Sequence, residues 1–355
     1  MQNKQPYSPS KKYLFFISQD YSFPVLRPLQ DAIWQRGHEV RWFMYGNEIH
    51  KEHILDHEVV ISSIQDVIAY SPDAVFVPGN VVPSFIPGLK VEVFHGLPGN
   101  KTKKNGVIYH YIIRGMFDLY CTQGPRSTDI FKSLAKKYKY FDVEETGWCK
   151  LDPLFPLSND TSRRQKKSIF FASTFSPRYS KAKILHPFLL KMAQEHDYQW
   201  YITLHPKMPQ DIVDLYTSIT LPNVKFIYST EVIQYFKKSD LMLCDISSIT
   251  YEFATQLKPV ITFQSPQTNT VFVNIDTLDE LEKSIINILN GMHKEALNIE
   301  TYVHKYHPYQ DGKSSQRVLN CVEKILDQKI RPSKKKPLNF IRNFKLRKAL
   351  NYWVF

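Results

Sequence analysis

Short apolar segments alternate with segments of helical spacing along most of this chain. An apolar run at 13–18 is followed by helical spacing over 24–36, which ends at Gly37, and a second apolar run occupies 38–44. Glycine directly after a periodic segment is a common helix stop signal. Alternation of this kind predicts parallel sheets that are covered by helices on both faces.

The alternation lapses once, between about residues 150 and 167, and then restarts at Ser168. Pro153, Pro156 and a polar run mark the interruption, as in a linker between domains. A chain of 355 residues is long enough for two domains of ordinary size. We therefore predict an α/β protein with two Rossmann-like, doubly wound domains that face a central cleft. The expected bounds are 1–150 and 151–328, with a tail at 329–355.

The positive charge of the chain is concentrated in that tail. The formal net charge is +12, and the segment from Lys329 to the C-terminus holds nine Lys or Arg and no Asp or Glu. The remaining residues therefore carry only about +3. The charge says little about the ligands of the two folded domains.

Cysteine spacing and apolar run length limit the class of protein further. Four cysteines are scattered without paired spacing, which predicts reduced thiols rather than a zinc site. The N-terminus lacks the apolar core of a signal peptide, and no run approaches the roughly 18 apolar residues of a membrane span. We expect a cytoplasmic protein without a metal ion or cofactor.

Polar loops that directly follow the predicted strands are the expected ligand sites. In open parallel sheets, ligands bind beyond the carboxyl ends of the strands. Four such loops carry side chains suited to chemistry, at 95–101, 173–178, 205–207 and 245–248. The chain has neither a Walker-type glycine loop nor a Gly-x-Gly-x-x-Gly motif, which argues against a P-loop enzyme or an ordinary dinucleotide dehydrogenase.

The first of these loops offers a general base. His95 can accept a proton near neutral pH. Gly96 would let the backbone approach a ligand closely, and Lys101 adds a cation to the same loop. The alternative is a loop histidine that only hydrogen-bonds its neighbours.

The loops of the second half offer groups that suit phosphate. His205 is followed by Pro206, which keeps the preceding residue extended, and then by Lys207. Lys207 and Arg178 can balance phosphate charge, although both could equally be solvated surface cations.

The segment at 239–253 predicts a buried strand, a tight polar turn and a helix. The apolar run ends in Asp245, and Ser247 and Ser248 stand where the helix begins. Unpaired N–H groups at a helix N-terminus attract anions, and two hydroxyls add hydrogen bonds. The alternative is that one of these serines only caps the helix. Asp245 could likewise fix the turn or bind a ligand hydroxyl.

Taken together, these loops resemble motifs of the CDP-glycerol glycerophosphotransferases of the teichoic-acid polymerase type. The matching segments run in order from about residue 91 to residue 320. They are His-Gly-Leu-Pro at 95–98, Gly-Trp-Cys-Lys-Leu-Asp at 147–152, Ala-Ser-Thr-Phe at 172–175 with Arg178 beyond it, His-Pro at 205–206, Asp-Ile-Ser-Ser-Ile-Thr-Tyr-Glu at 245–252 and Asp-Gly-Lys-Ser-Ser-Gln-Arg at 311–317. Ile246 stands where the family has Tyr, and Glu252 where it has Asp.

The resemblance implies a GT-B fold and a reaction. Glycerol phosphate would pass from CDP-glycerol to a hydroxyl of a glycan or polyol-phosphate acceptor, releasing CMP, in the synthesis of a cell-surface polymer. It implies that His95 is the catalytic base and that His205 stabilises the donor phosphate. The donor side would also include Thr174, Arg178, Lys207, Asp245, Ser247, Ser248 and Glu252, and the acceptor side Gly96 and Lys101.

The C-terminal tail interleaves basic and aromatic residues. This pattern is typical of helices that lie on anionic membranes, and it suits an enzyme with a lipid-linked acceptor at the cytoplasmic face. A disordered, solvated tail is the alternative. Nucleic acid binding is not expected, because nothing else in the chain supports it.

Two other functions compete with this hypothesis. The departures at Ile246 and Glu252 leave room for a GT-B enzyme with another nucleotide-activated donor, such as a sugar or a different polyol phosphate. A non-catalytic scaffold that binds an anionic polymer through its tail is the third possibility.

Overall fold

A computed structural model describes residues 10–98, 106, 108–157, 166–266, 271–292, 299–330 and 332–354. The chain forms two compact units. Unit 1 comprises Met1–Asp152 and Lys313–Phe355, and unit 2 comprises Pro153–Gly312.

Unit 1 is built on a parallel sheet of seven strands in the order β3-β2-β1-β4-β5-β6-β7. β2 and β3 lie on one side of β1, and β4 to β7 lie on its other side, which is the doubly wound Rossmann arrangement. The strands are β1 (Lys12–Ile17), β2 (Glu39–Met44), β3 (Val60–Ile61), β4 (Ala74–Val77), β5 (Leu89–Glu92), β6 (Leu119–Thr122) and β7 (Asp142–Glu145).

Unit 2 repeats this arrangement with six parallel strands in the order β10-β9-β8-β11-β12-β13. The strand order reverses between β8 and β11. The strands are β8 (Ser168–Ser173), β9 (Gln199–Leu204), β10 (Val224–Phe226), β11 (Leu241–Cys244), β12 (Val260–Phe263) and β13 (Val273–Ile275).

Helices connect most of the consecutive strands, as is usual for parallel crossovers, whereas β4 passes to β5 through a segment without a helix. The α-helices are α1 (Ser22–Gln35), α2 (Ile64–Tyr70), α3 (Pro125–Tyr138), α4 (Ala182–Glu195), α5 (Gln210–Thr217), α6 (Val232–Lys238), α7 (Ile249–Ala254), α8 (Leu278–Leu289), α9 (Ile299–Tyr306), α10 (Ser314–Asp327) and α11 (Phe340–Leu350). None of the helices in the described part of the chain has the length and apolar composition needed to cross a membrane.

The prediction of an α/β protein with parallel sheets is confirmed by the strand pairing in both units, and the strands β4 and β11 are apolar throughout. Every residue of β4 and of β11 is buried. Continuous apolar strands are what a parallel sheet buried on both faces demands. Full burial of one Leu, Val or Phe side chain contributes about 1.5–3 kcal/mol.

The C-terminal boundary of the second domain differs from the prediction. Sequence periodicity placed residues 313–328 in that domain, but α10 belongs to unit 1 and packs against α1. The carboxylate of Asp152 accepts hydrogen bonds from the backbone N–H groups of Ser314 (2.8 Å) and Ser315 (2.7 Å) and so caps α10. Arg317 adds a hydrogen bond to the carbonyl oxygen of Thr146 at 2.9 Å.

Two of the motif segments therefore have a structural role. The segments at 147–152 and 311–317 lie far apart in the sequence. Asp152 joins them through Ser314 and Ser315, and Arg317 binds Thr146, the residue just before the first segment. The motif residues of these segments hold the returning chain in place.

Candidate active site

The carboxyl edge of the unit 1 sheet carries His95. β5 ends at Glu92, so His95 does not follow the strand directly: Val93 and Phe94 continue as buried residues. Phe94 has φ +59°, a left-handed conformation that a non-glycine residue rarely adopts. Its carbonyl oxygen accepts a hydrogen bond from Nε1 of Trp148 at 3.1 Å, which fixes the turn. The turn leaves the side chain of His95 exposed.

One hydrogen bond defines the tautomer of His95. Its Nδ1 atom lies 3.0 Å from the carbonyl oxygen of Pro78, which directly follows β4. A carbonyl oxygen can only accept, so Nδ1 carries the proton and donates it. In the neutral ring Nε2 then has a free lone pair, as a general base needs. Tyr21 supports the ring from the side, with ring centroids 5.0 Å apart.

The surroundings of His95 favour this neutral form. Partial desolvation by the surrounding protein lowers the pKa of His95, and the positive charges of Arg114 and Lys150 lower it further, against the opposing hydrogen bond to Pro78. His95 is therefore ready to accept a proton at neutral pH.

Arg114 is a candidate that the sequence did not reveal. Its guanidinium donates to Oδ1 of Asn80 at 2.8 Å and to the carbonyl oxygen of Ile112 at 3.2 Å, so a half-buried cation is held close enough to His95 to affect its pKa. The sequence signal that could have indicated the Arg114–Asn80 pair is Asn80, because it follows β4 in the same loop as Pro78. Arg114 itself follows no strand directly.

Gly96 lies in the open part of the His95 loop. A Cβ added at Gly96 would meet no atom of the described residues within 4 Å. Its carbonyl oxygen accepts a hydrogen bond from Nε2 of Gln123 at 2.9 Å, which anchors the loop backbone. Glycine is therefore not required by packing at this position. Lys101, predicted for the same loop, lies outside the described residues.

Glu92 is a buried acid beneath the same edge. Burial raises its pKa to about 8, and the nearby charge of Arg114 opposes this only in part. The side chain is therefore held mainly as the neutral acid at pH 7.

In unit 2, strand register brings three of the predicted loops to one edge. Ser173 pairs with Leu204, and Ala172 pairs with Cys244, across the adjacent strands β9, β8 and β11. The loops that begin at Thr174, His205 and Asp245 therefore start side by side at the carboxyl edge. This confirms the expected placement of the loops after the strands.

Asp245 fixes these loops. It is buried, and its carboxylate accepts a hydrogen bond from the Ser173 hydroxyl. The backbone N–H groups of Thr174 (2.9 Å), Lys181 (3.1 Å) and Ile246 (2.6 Å) also donate to it. Burial raises the pKa of Asp245, while these hydrogen bonds oppose the rise. The structure thus supports the turn-fixing alternative.

His205 has the opposite tautomer to His95. Its Nδ1 accepts a hydrogen bond from the backbone N–H of Lys207 at 3.0 Å, so in the neutral ring the proton lies on Nε2. The ring packs against Phe175, with centroids 4.3 Å apart. Desolvation lowers the pKa of His205, and the charge of Lys207 lowers it further. His205 therefore offers a neutral N–H donor.

The two serines before α7 do not cap it in the expected way. Among the described residues, Ser248 is exposed and makes no capping hydrogen bond through its side chain, and Ser247 Oγ accepts a long hydrogen bond from the Ile249 N–H at 3.4 Å. α7 has only six residues, so its dipole is small.

The other three residues predicted for the donor side differ in their burial and contacts. Thr174 is half-buried at the end of β8, where its N–H is bound by Asp245. Arg178 is exposed and stacks over the Tyr179 ring at 5.4 Å. Glu252 is buried within α7, away from solvent. Phe175, which contacts His205, was not predicted as a contact residue.

Comparison with known structures supports the fold class. The wall teichoic acid polymerase TagF superimposes with a TM-score of 0.67, covering 89% of each chain at 15% identity. A putative UDP-N-acetylglucosamine 2-epimerase from Listeria monocytogenes gives 0.61, covering 93% of this chain and all of that chain at 13% identity. At such identities the likeness shows the fold alone, and that fold is GT-B.

Sequence comparison identifies the family. The teichoic acid glycerol-phosphate primase of Bacillus subtilis (strain 168) is 24% identical over 184 residues, which span 48% of this chain and 47% of the primase, about half its length. The family model for CDP-glycerol:poly(glycerophosphate) glycerophosphotransferase matches residues 113–324. The chain belongs to this glycerophosphotransferase family.

Proposed function

We propose that this protein transfers glycerol phosphate from CDP-glycerol to a hydroxyl of a glycan or polyol-phosphate acceptor and releases CMP. The observation that carries the proposal is the pair of opposite histidine tautomers. His95 presents an unprotonated Nε2, which suits a base, and His205 presents an Nε2–H, which suits a phosphate oxygen. Membership of the glycerophosphotransferase family supports the donor and the reaction class.

His95 would act on the acceptor. An alcohol is a poor nucleophile until a base takes its proton in the transition state. The hydroxyl oxygen attacks the phosphorus that carries glycerol, the bond from that phosphorus to the CMP oxygen breaks, and Nε2 of His95 takes the hydroxyl proton. CMP leaves with the electrons of the broken bond. Residues 1–150 would thus form the acceptor side.

The second-unit loops would hold the donor. Hydrogen-bond donors that are already oriented stabilise the charge on the transferring phosphoryl group. His205 supplies an N–H, and the hydroxyls of Thr174, Ser247 and Ser248 stand at the same sheet edge. Lys207 and Arg178 add positive charge near that edge. Asp245 supports these loops through the hydrogen bonds that it accepts from Ser173, Thr174, Lys181 and Ile246.

A donor comparison tests the substrate. CMP release is measured with CDP-glycerol, CDP-ribitol and nucleotide sugars, each with a short glycerol-phosphate primer. The proposal predicts the highest kcat/KM with CDP-glycerol. Faster turnover of a nucleotide sugar would favour a different GT-B transferase, and turnover of CDP-ribitol alone would correct the donor polyol.

We also propose that the tail places the enzyme on the cytoplasmic face of an anionic membrane, near a lipid-linked acceptor. The supporting observation is that α11 has two different faces. Leu346 is buried on unit 1, and Arg347 stacks over Phe85 at 4.6 Å. Phe340 and Ile341 are each 75% exposed, and Phe344 is 58% exposed.

The cations of the tail suit such a surface. Arg342, Lys345 and Lys348 on α11 are exposed. Each cation near an anionic membrane contributes about 1 kcal/mol at most, and exposed aromatic residues add apolar burial in the interface.

Vesicle flotation tests this placement. The triple variant Phe340→Ser, Ile341→Ser, Phe344→Ser should lose binding to vesicles of phosphatidylglycerol and phosphatidylcholine while keeping turnover of a soluble primer. Trp34→Ser, an exposed aromatic of α1, is the control. Equal flotation of the triple variant and the parent would reject the tail as the membrane contact.

A further inference from the structure

Three metal-binding side chains meet at the carboxyl edge of unit 1, outside the groups used above. Asp20 follows β1, and His50 and His53 lie in the segment after β2, where Lys51–His53 forms a 3₁₀ turn. One ligand atom from each residue lies within 4.8 Å of the others. Nδ1 of His50 is 2.5 Å and Nε2 of His53 is 3.8 Å from Oδ2 of Asp20.

These separations suit a small divalent ion. Tetrahedral ligands at about 2.0–2.1 Å from zinc lie about 3.3 Å from one another. The two histidine–carboxylate separations fall on either side of that value, and the three ligand atoms all lie within 4.8 Å of one another, so modest side-chain shifts would bring them to tetrahedral spacing. Two imidazoles and one carboxylate are a ligand set that zinc and related ions use, with a fourth position left for water.

The surrounding structure orients the three ligands. The backbone N–H of His50 donates to Oδ1 of Asp20 at 2.9 Å, which turns Oδ2 toward the imidazoles. Arg27 holds the His53 carbonyl oxygen, and its charge is paired with Glu58 at 2.9 Å. The Asp20 side chain is 15% exposed and that of His50 63%, so solvent and an entering ion reach the cluster from one side. Supporting hydrogen bonds of this kind fix ligand orientation in metal sites.

A second histidine–carboxylate cluster in the described residues is less suited to a metal ion. Glu195, His196 and Glu282 also lie close together. There Nζ of Lys191 is 2.8 Å from Glu282 and 3.7 Å from Glu195, so a lysine already supplies the positive charge. This cluster provides a matched control.

We propose that Asp20, His50 and His53 bind one divalent transition-metal ion of the zinc type. The ion would fasten the segment after β2 to the end of β1. Because Tyr21 is the next residue after Asp20 and packs against His95, the bound ion would also hold Tyr21 in place. The site does not depend on the proposed transfer reaction. Sequence spacing could not predict it, since Asp20 is thirty residues from His50.

Metal titration of the full-length, chelator-treated protein tests the site. With Zn²⁺ as the probe in calorimetry, we expect one ion per chain and a rise in Tm. His53→Ala and, as a second variant, Asp20→Asn should each weaken binding at least about tenfold. His57→Ala and His196→Ala should leave binding within about threefold of the parent. Circular dichroism of each variant checks folding.

Co²⁺ as a second probe excludes the cysteines as ligands. The proposal predicts visible bands of a nitrogen- and oxygen-ligated ion without thiolate charge transfer, and their loss in His53→Ala. Absence of saturable binding at about 100 µM Zn²⁺, or equal affinity in His53→Ala and His57→Ala, would overturn the proposal. A thiolate band that survives in His53→Ala would overturn it as well.

Discussion

Nδ1 of His95 donates its proton to the carbonyl oxygen of Pro78 across 3.0 Å. The two residues come from loops after neighbouring strands, β5 and β4, so the sheet itself holds the imidazole in the tautomer with a free Nε2. His205 has the opposite arrangement, with Nδ1 accepting from the Lys207 amide. The proposed mechanism depends on this difference, and it can be tested at each histidine separately.

Glutamine should replace His205 better than it replaces His95. The side-chain amide of Gln offers an N–H near the position of Nε2 but no base. His205→Gln should therefore keep measurable kcat, whereas His205→Ala should lose about 10²–10³-fold. His95→Gln should be as inactive as His95→Ala, with a loss of about 10²–10⁴-fold. Steady-state CMP release measures all four. Activity in His95→Gln equal to that in His205→Gln would contradict the two roles.

The decrease of kcat/KM at acid pH should occur at a lower pH than an ordinary histidine would give. The pKa of His95 is lowered from its ordinary value of 6.5, so the free base persists below that pH and is lost only on further acidification. We expect kcat/KM to fall with an apparent pKa below 6.5. Arg114→Gln removes a positive charge and should raise that apparent pKa. An apparent pKa at or above 6.5 in the parent, or no shift in the variant, would contradict the tautomer and charge argument.

Gly96→Ala should impair turnover without affecting folding. The added methyl meets no atom within 4 Å in the part of the chain that the structure describes, so Tm should change little. If a substrate approaches the Gly96 backbone closely, the methyl will obstruct it and raise KM. Steady-state kinetics and thermal unfolding separate the two effects. Unchanged KM and kcat would show that ligands do not approach this part of the loop.

Glu92 should make the folded protein less stable as the pH rises, which is the opposite of the usual effect of a carboxyl group. Its pKa is about 8 in the folded protein, against 4.5 as the ordinary value, so the folded state binds the proton more tightly. The stabilisation is complete below pH 4.5 and is lost as the pH rises toward 8. Within this window the slope from one group is about 1.4 kcal/mol per pH unit.

Glu92→Gln tests the direction of this pH dependence, because glutamine keeps the shape of the neutral acid but does not titrate. The free energy of unfolding of the variant relative to the parent should increase between pH 5 and pH 7, by up to about 2.7 kcal/mol. Urea denaturation at both pH values measures it. A difference that stays constant or decreases would contradict a buried neutral acid.

Asp152→Ala should destabilise unit 1 by about 2–3 kcal/mol. The substitution leaves two buried N–H groups at the start of α10 without their acceptor. Asp327→Ala is the control, since Asp327 pairs with Lys11 at the surface and such pairs contribute about 0–1 kcal/mol. Similar losses in the two variants, measured by chemical denaturation, would show that Asp152 is not a structural cap.

The fold was predictable because apolar runs and helical periodicity are local signals. β4 and β11 have the bounds that their sequences predicted, and Pro125 begins α3 as its fixed φ favours. The tail proved to be a docked helix, α11, rather than a disordered segment. The position of α10 could not be predicted, because the hydrogen bonds from Ser314 and Ser315 to Asp152 join distant segments.

The candidate site residues were predictable from the sequence only where a polar side chain comes soon after a strand. His205 follows β9 directly, and His95 is the third residue after the end of β5. A carboxylate after a strand has the same sequence signal whether it binds a ligand or the protein, so the sequence could not show that Asp245 accepts hydrogen bonds from Ser173, Thr174 and Lys181. Arg114 and Phe175 were missed, since their importance comes from three-dimensional contacts with Asn80 and His205.

The most direct test of the account is CMP release from CDP-glycerol with a short glycerol-phosphate primer, measured for the parent protein beside His95→Ala. The account predicts primer-dependent CMP release by the parent and a loss of about 10²-fold or more in the variant, with unchanged circular dichroism. Equal CMP release by the two proteins would contradict His95 as the base. Release without transfer of glycerol phosphate to the primer would contradict the proposed reaction.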